Sequence, residues 1–467
     1  MVTENRGMRT FFVVWSGQLV SLVGTNLTGF ALAIFVFQET GSATQLAGIL
    51  LASQLPQVLF TPIAGALVDR WDRRWAMILA DAGAGIGTLA MASLLFFDSL
   101  QIWHLYIILS VSGIFQSFQW PAYGAATTLL VPKEDYTRAS GLVQLAEALG
   151  QVFAPAIAGL LLVAGGLTLV ITVDVISFLF AITTLLFVRF PAPEESEEGK
   201  EAKGSLLSEA KFGFTYIRRR PGLLVLLWYF AALNLVFGFM GVVIFPLILG
   251  FADAQAMGNV FSIGAIGMVV GSIIMSTWKG PQHLVRGLII AVVALGTGLV
   301  LIGLRPNLLW VTTAAVLGFF SIPFGNGFSQ AIWQRKVDPD VQGRVFAVRR
   351  TLAQGTGPLA LIAAGPLVDH VFEPALQPGG SLAGSVGDII GTGAGRGAAF
   401  FMILMGLASI AISIAAYSYP RLRNLETELP DAVDPDDVTG DPGAVEGEKA
   451  PAGGGVPRPA EAAGLVE

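Results

Sequence analysis

Long apolar stretches separated by short polar ones dominate the first 420 residues of the chain. About twenty apolar residues in a helix cross the ~30 Å hydrocarbon core of a bilayer. Because lipid offers backbone polar groups no partner, such stretches must be helices, and the alternating pattern of an outer-membrane barrel does not occur here. The pattern predicts an all-α membrane protein with twelve transmembrane helices, approximately at 10–37, 43–68, 75–97, 102–129, 138–163, 167–188, 222–250, 257–278, 284–303, 308–332, 345–369 and 397–418.

Composition supports this class and excludes several activities. Of 467 residues, 54% are hydrophobic and only 13% are charged, whereas a soluble protein carries roughly 25% charge. The absence of cysteine excludes disulfides and thiol chemistry. The Gly-x-x-x-x-Gly-Lys-Ser/Thr string of ATP-binding P-loops does not occur, so we do not expect this chain to be an ATPase. We therefore expect a protein of the lipid bilayer that is not an enzyme, with no cofactor, no metal and no nucleic-acid partner.

The distribution of basic residues predicts the orientation. The net charge is −6, but residues 424–467 hold eleven acidic and two basic side chains, so the rest of the chain is net basic. With the N-terminus inside, Arg305 and Arg396 are the only basic residues placed outside, which follows the positive-inside rule. We expect a multi-pass protein of the cytoplasmic membrane with both termini in the cytoplasm.

One charged segment divides the membrane pattern into two halves of six helices. Residues 190–220 begin with Pro and Glu and continue into an amphipathic stretch that is expected to lie on the inner leaflet. The predicted organisation is a six-helix bundle at 1–189, a cytoplasmic linker at 190–220, a second six-helix bundle at 221–420, and a disordered acidic tail at 421–467.

The two halves resemble each other. Gly150 and Pro155 in the fifth predicted helix correspond in order to Gly355 and Pro358 in the eleventh. Two pseudo-symmetric bundles around a central site are typical of secondary transporters.

The charge cluster at Gly65–Arg74, with five charges in the six positions 69–74, carries a resemblance to a known family. It resembles the Gly-x-Leu-x-Asp-Arg-x-x-Arg-Arg loop motif of the major facilitator superfamily. The strings at 15–24, 40–43 and 56–74 are similar to those of drug- and siderophore-exporting antiporters, including macrolide efflux pumps and enterobactin exporters. The resemblance implies the major facilitator fold and an export function.

The motif has a physical interpretation as a latch on the inner face. Its glycine allows close helix approach, its aspartate would face the positive N-terminal end of the eleventh helix, and its arginines would contact anionic headgroups. The alternative, that the arginines only set topology, leaves the aspartate and the glycine unexplained. The predicted gating residues are Gly65, Asp69, Arg70, Arg73, Arg74 and Arg344.

A second string, at residues 150–159, resembles the antiporter motif Gly-x-x-x-Gly-Pro-x-x-Gly-Gly, with two of its glycines replaced by alanine. Gly150, Pro155 and Gly159 would create a bend and a close-packing surface, although ordinary small-residue packing is the alternative. The Arg that strongly proton-coupled members often carry in the fourth helix does not occur within 102–129. Without this arginine, the resemblance does not indicate which residues carry the proton.

Three carboxylates fall inside predicted spans, where an ionisable residue suggests function. At 1.5 Å per residue, Glu147 lies roughly 14 Å beyond Arg138, near mid-membrane. Asp174 falls in the outer half, and Asp81 lies close enough to the loop arginines to pair with one. Burial favours the neutral form of a carboxyl group, so Glu147, Asp174 and Asp81 are proton-coupling candidates in that order. The alternative for each is a structural carboxylate.

Polar and aromatic residues on helices one, four, seven and ten are expected to line a cavity between the halves. A largely apolar pocket with few directed hydrogen-bonding groups suits a bulky amphipathic ligand. The substrate-lining candidates are Gln18, Asn26, Phe30, Gln116, Gln119, Trp120, Tyr123, Asn234, Phe237, Asn326 and Gln330.

The leading hypothesis is a monomeric secondary transporter that exports a small amphipathic molecule, drug-, macrolide- or siderophore-like, by proton antiport and alternating access. One alternative is an uncoupled facilitator or a lipid flippase of the same fold. A non-transporting receptor or scaffold is the other, suggested only by the acidic tail. The sequence does not identify the substrate.

Overall fold

A computed structural model describes residues 4–68, 71–131, 136–188, 206–278, 280–337 and 341–430, and these are almost entirely helical. The acidic tail beyond residue 430 and most of the predicted linker lie outside the described residues. The principal helices are α1 (Glu4–Thr40), α2 (Ala43–Val68), α3 (Arg73–Phe96), α4 (Ile102–Leu130), α5 (Tyr136–Phe187), α6 (Leu206–Arg218), α7 (Pro221–Leu249), α8 (Ala254–Thr277), α9 (Leu284–Leu304), α10 (Leu308–Lys336), α11 (Gln342–Gln354) and α12 (Gly357–Leu367).

Short elements complete the chain after α12. A π-helical turn (Val368–Phe372) leads into α13 (Glu373–Leu376) and α14 (Val386–Ile390), followed by the long α15 (Arg396–Ser418) and the short α16 (Pro420–Arg423) and α17 (Leu425–Glu428).

Helix α5 contains two helices joined at a glycine pair. Gly165 and Gly166 have non-helical backbone angles, with φ of −156° and +65°. A positive φ is a conformation that glycine adopts without a side-chain penalty, so the chain can turn back after residue 164. The sequence predicted this division, with separate spans at 138–163 and 167–188.

Ten candidate membrane spans occur among the described residues. One of the ten, Leu145–Phe187, contains both parts of α5. Helix α4 is not one of the ten, although it is 29 residues long. The exact number of twelve therefore stays a prediction, while the polytopic helical class is confirmed.

The helices pack in two groups. In the N-terminal group, α1 packs on α5, α2 on α4, and α3 on both α4 and α5. In the C-terminal group, α9 packs on α10 and α15, α8 on α10, and α7 on α12 and α15. This arrangement supports the proposed division into bundles at 1–189 and 221–420.

The two groups meet through α5 with α8 and through α2 with α12. We call the end of the molecule with the α1–α2 turn the α1–α2 end, and the opposite end, which carries Trp71 and Asp72, the α2–α3 end. A Cβ atom on Gly258 of α8 would lie 2.3 Å from the carbonyl oxygen of Pro155, and one on Gly365 would lie 2.4 Å from the Cα of Thr44. Small residues thus allow backbone contact between the groups near the α1–α2 end.

The segments at the α2–α3 end are integrated into the C-terminal group. Helix α6 packs on α11 and α7, and it buries Ile217 in the core that contains Trp333. The sequence predicted only a surface helix for this stretch. After α15, Leu422 and Leu425 are also buried, and the Glu426 carboxylate accepts hydrogen bonds from the first backbone N–H groups of α9.

The close packing of α4 on α2 makes a specific prediction. A Cβ atom on Gly113 would lie 2.3 Å from the carbonyl oxygen of Ser53, whereas Gly124, on the same helix, has no atom within 4 Å. Because backbone atoms cannot move aside cheaply, Gly113→Ala should cost about 1–3 kcal/mol and lower the Tm of the detergent-purified protein by several degrees. Gly124→Ala is the matched control and should leave the Tm unchanged; equal Tm values for the two variants would contradict this packing.

Candidate substrate cavity and buried carboxylates

A central cavity of about 700 Å³ lies between the two groups of helices. The N-terminal group contributes polar side chains and one aromatic ring to its wall, whereas the C-terminal group contributes aromatic and aliphatic side chains. Seven of the sequence-predicted site residues line this cavity together with neighbours from both groups: Asn26, Phe30, Gln116, Gly150, Pro155, Asp174 and Phe237.

Aromatic rings from both groups lie above this cavity toward the α1–α2 end. The ring of Phe30 on α1 lies 5.8 Å from that of Phe245 on α7 and 5.5 Å from that of Phe261 on α8. Such tilted and edge-to-face pairs add packing energy to apolar burial. Phe30, predicted as substrate-lining, therefore also contacts the opposite group.

A smaller cavity of about 190 Å³ lies inside the N-terminal group, and all three predicted carboxylates line it. We call it the carboxylate cavity. Gln116 and Asp174 line both this and the central cavity, so the two spaces share a wall. The sequence could not show that Asp81, Glu147 and Asp174 lie around one space, because they belong to different turns of α3 and α5.

Asp81 is held by amide side chains rather than by an arginine. Its Oδ2 accepts a hydrogen bond of 2.8 Å from Nε2 of Gln18 on α1, and Gln119 on α4 donates in turn to Oε1 of Gln18. Asp81 is buried, and buried polar groups are stable when they are hydrogen-bonded. The network joins three helices, and it differs from the expected pairing of Asp81 with a loop arginine.

Asp174 is held by hydroxyl groups. Its carboxylate accepts from the hydroxyls of Thr28 at 2.9 Å, Thr88 at 3.2 Å and Ser177 at 3.3 Å. These donors come from α1, α3 and α5 itself. Asp174 is 4% exposed, so this carboxylate is the more fully enclosed and serves to connect helices.

Glu147 differs from the two aspartates because it is only partly buried and lies within electrostatic range of a basic residue of the other group. It lines the carboxylate cavity on α5, one turn before Gly150. The guanidinium of Arg350, on α11 in the C-terminal group, interacts electrostatically with its carboxylate. Among the three carboxylates, Glu147 is therefore the one whose charge acts between the groups.

Two further polar atoms border the carboxylate cavity. The Oε1 of Gln119 and the hydroxyl of Tyr123 are buried without a hydrogen-bond partner among the described residues. Buried polar atoms of this kind have unused hydrogen-bonding capacity. Oε1 of Gln119 can accept a hydrogen bond from a ligand or water in this space, and the hydroxyl of Tyr123 can donate or accept one.

The C-terminal group has its own cavity, of about 330 Å³, with a mainly apolar wall. Asn234 and Asn326, both predicted as substrate-lining, are on this wall, and Phe237 and Phe261 line this cavity as well as the central one. The Nδ2 of Asn234 donates to the carbonyl oxygen of Phe230 at 2.8 Å, which fixes the amide. An apolar space with few fixed polar groups is typical of a small-molecule site.

Gln330, the last predicted lining residue, instead holds an arginine that the sequence analysis missed. Arg349 on α11 donates to Oε1 of Gln330 at 2.9 Å and to the hydroxyl of Ser329 at 3.0 Å. Its guanidinium carbon lies 5.2 Å from the ring centre of Trp333, close enough for a cation–π interaction. In the sequence, the only indication of this arginine's role was its position within the predicted span 345–369.

The residues of the antiporter-type motif lie where α5 meets the opposite group. Gly159 approaches Ala254, with 2.9 Å between its hypothetical Cβ and that carbonyl oxygen, and Pro155 contacts Gly258. Gly150 and Pro155 also line the central cavity. The motif thus forms both part of the cavity wall and part of the contact between groups.

The predicted inner latch is only partly described. Asp69 and Arg70 lie outside the described residues, as do the side chains of Arg344 on α11 and Trp120 on α4. Gly65 is part of α2. The inner latch therefore stays a prediction.

The two described arginines of the latch contact carbonyl groups. Arg74 donates to the carbonyl oxygens of Leu185 and Leu186, at 2.8 and 2.6 Å, and so satisfies the end of α5. Arg73 donates to the carbonyl of Trp71 at 3.0 Å. The expected role of these arginines was contact with lipid headgroups.

Comparisons with known proteins agree with this architecture. Macrolide efflux protein A of Streptococcus pyogenes is 29% identical over 79% of this chain and 92% of that protein. Macrolide efflux protein A of Enterococcus faecalis is 30% identical over 69% of this chain and 100% of that protein. A bacterial homolog of the human lysosomal transporter Spinster, solved in an inward-facing and unoccupied conformation, superposes with a TM-score of 0.65 at 16% identity, covering 89% of this chain and 96% of that one.

The family model of the Major Facilitator Superfamily matches residues 14–361, which cover the N-terminal group, the C-terminal group as far as α12, and the residues that line the central cavity. The chain therefore belongs to the Major Facilitator Superfamily and is a multi-pass membrane transporter of small molecules.

Proposed function

We propose that this chain exports a small amphipathic molecule across the cytoplasmic membrane by proton antiport and alternating access. The observation that carries the proposal is the central cavity between the two groups, with Asp174 and amide side chains of the N-terminal group on one side and aromatic rings of the C-terminal group on the other. The efflux functions in the names of the relatives support the direction of transport. The protein acts as a monomer in this proposal.

The orientation follows from charge. Arg335 and Lys336 end α10, Arg218 ends α6, and Arg219 and Arg220 lie between α6 and α7, all at the α2–α3 end. The positive-inside rule then assigns this end to the cytoplasm, so the α1–α2 end is the outer one and both termini are cytoplasmic. The contacts of Gly365 and Gly258 would close the outer side in this state, leaving the inner side as the route to the cavity.

The cavity walls favour a bulky, mostly apolar substrate with a few polar groups. Phe237 and Phe261 would contact apolar surface, and Asn234 and Asn326 would supply directed hydrogen bonds. A cavity of about 700 Å³ is large enough for a drug-sized ligand. Macrolides, which the relatives' names identify as their substrates, fit this description and are the first class to test.

Glu147 is the residue proposed to couple transport to protons. In its charged form it attracts Arg350 of the opposite group; protonation removes this attraction and changes the contact between the groups. A proton that arrives from outside would thus replace the exported substrate and favour the return to the inward-facing state. Asp81 and Asp174 would hold helices together through their amide and hydroxyl partners.

The first prediction concerns Glu147→Gln, which keeps the size of the side chain and removes the proton. Efflux of erythromycin driven by a pH gradient in everted membrane vesicles should fall to the level of vesicles without the protein. Asp98→Asn, an exposed acid of the same group, is the matched control and should keep full activity. Gradient-driven efflux by Glu147→Gln at the parental rate would refute the assignment, and efflux by the parent that ignores the gradient would favour an uncoupled facilitator.

The second prediction concerns substrate contact. Phe237→Ala removes a ring that lines two cavities. Burying a Phe side chain is worth about 1.5–3 kcal/mol, so the KM for erythromycin efflux should rise roughly tenfold or more. The number of protons exchanged per substrate should stay the same. Phe180→Ala, at a ring of which 46% is exposed on the outside of α5, is the control, and an equal rise of its KM would contradict the proposed cavity.

A further inference from the structure

An aspartate of the C-terminal group caps a helix of the N-terminal group. Asp369 lies in the π-helical turn after α12. Its carboxylate accepts from the hydroxyl of Ser42 at 2.6 Å, from the backbone N–H of Ala43 at 2.8 Å and from that of Thr44 at 2.8 Å. All three donors belong to the start of α2, more than 320 residues away in the sequence.

The cap is favourable for two physical reasons. The first turn of a helix has backbone N–H groups with no partner inside the helix, and the positive end of the helix dipole attracts a carboxylate. Ser42 already accepts from the N–H of Gln45 at 3.2 Å, so it serves as the local cap of α2. The Asp369 carboxylate adds a charged cap that only the opposite group can supply.

A glycine makes the approach possible. Gly365 lies four residues before Asp369, on the same face of the chain. A Cβ atom at this glycine would lie 2.4 Å from the Cα of Thr44 and 2.7 Å from the carbonyl oxygen of Ala43. Any larger residue would push α12 away from α2 and would break the cap.

The same five-residue pattern occurs twice in the chain. Gly365–Asp369 reads Gly-Pro-Leu-Val-Asp, and Gly65–Asp69 reads Gly-Ala-Leu-Val-Asp. The copy at Gly365–Asp369 spans the end of α12 and the π-helical turn and contacts the start of α2, whereas the copy at Gly65–Asp69 lies at the end of α2, at the opposite end of the molecule. Both copies therefore belong to the pair formed by α2 and the eleventh predicted span.

The π-helical turn that carries Asp369 is also bonded to the C-terminal group, through the carboxylate of Glu373. Glu373, four residues after Asp369, accepts from the backbone N–H of Gly395 at 2.6 Å and of Ala398 at 3.3 Å, at the start of α15. The ring of Phe372 stacks on that of Phe401 at 4.5 Å. When the two groups separate, the bonds of Glu373 can persist while those of Asp369 must break.

We infer that Asp369 is the gating residue of the outer face: it holds the outer gate closed by capping α2, and the cap breaks each time the protein opens outward. The inference rests on the proposed function for the assignment of the outer side. It adds a second gate, in which Gly365 and Asp369 repeat on the outer side the glycine and aspartate proposed for the inner latch.

The test measures the distance across the outer gate in the full chain. The chain has no cysteine, so Glu39→Cys and Ile389→Cys, at exposed positions of the two groups, introduce one pair of nitroxide labels. In the parent, electron–electron double resonance should give mainly the short distance. Asp369→Asn keeps the size but removes the charge, and it should raise the ratio of long to short distances on the order of tenfold.

Glu373→Gln is the matched control, because it makes the same chemical change at a cap inside one group. It should lower the Tm without a shift in the distance distribution. An unchanged distribution in Asp369→Asn, or an equal shift in Glu373→Gln, would overturn the inference. Ser42→Ala should shift the distribution in the same direction as Asp369→Asn, and the double variant should shift it by less than the sum; strict additivity would count against a shared cap.

Asp69→Asn, in the copy of the pattern at Gly65–Asp69, tests the inner latch separately from the outer gate. Asp69→Asn should decrease the long-to-short ratio of the same label pair, because it would weaken the inner latch. An absent shift there would contradict that inner latch, whereas the Asp369→Asn result decides the outer gate. Neither measurement requires substrate or a proton gradient, so the outcome does not depend on which molecule is exported.

Discussion

Close contact between backbones across two helix pairs is the interaction on which the rest of the structure depends. In a bilayer no hydrophobic effect drives helices together, so their association relies on van der Waals packing and hydrogen bonds. Here α5 meets α8 at Gly258 and Gly159, and α2 meets α12 at Gly365. Backbone meets backbone at these contacts, and buried apolar side chains of both groups form one core beside them. Outward opening of a transporter with an alternately exposed site would have to separate these surfaces.

The interior of each group has a different chemistry, and this difference gives the central cavity its two sides. The N-terminal group holds Asp174 with hydroxyl donors from three helices and Asp81 with the amide of Gln18, to which Gln119 donates in turn. Glu147 lies within electrostatic range of an arginine of the opposite group. The C-terminal group presents aromatic rings and the amides of Asn234 and Asn326. The carboxylate cavity and the cavity of the C-terminal group are thus separate, and Asp174 and Phe237 each line one of them together with the central cavity.

Much of the fold could be predicted from the sequence, because membrane spans are set by local apolar length. The division of α5 and the close packing at Gly150 and Pro155 could also be predicted from the sequence, because Gly and Pro change the backbone locally. The partners of Arg74, Asp81 and Asp369 were not, because the groups they bind lie between 63 and 327 residues away. Arg349 went unnoticed because its neutral partners, Gln330 and Ser329, leave no charge pattern in the sequence.

The two ends of the molecule should therefore open and close in opposition, and a paired distance measurement tests this most directly. One sample carries nitroxide labels across the outer end, at Glu39→Cys and Ile389→Cys, and a second carries them across the inner end, at the exposed Trp75→Cys and Arg335→Cys. As the pH is lowered from mildly alkaline to mildly acidic, the outer distance should shorten while the inner distance lengthens. Changes of the same sign at both ends, or a change at one end alone, would contradict the account.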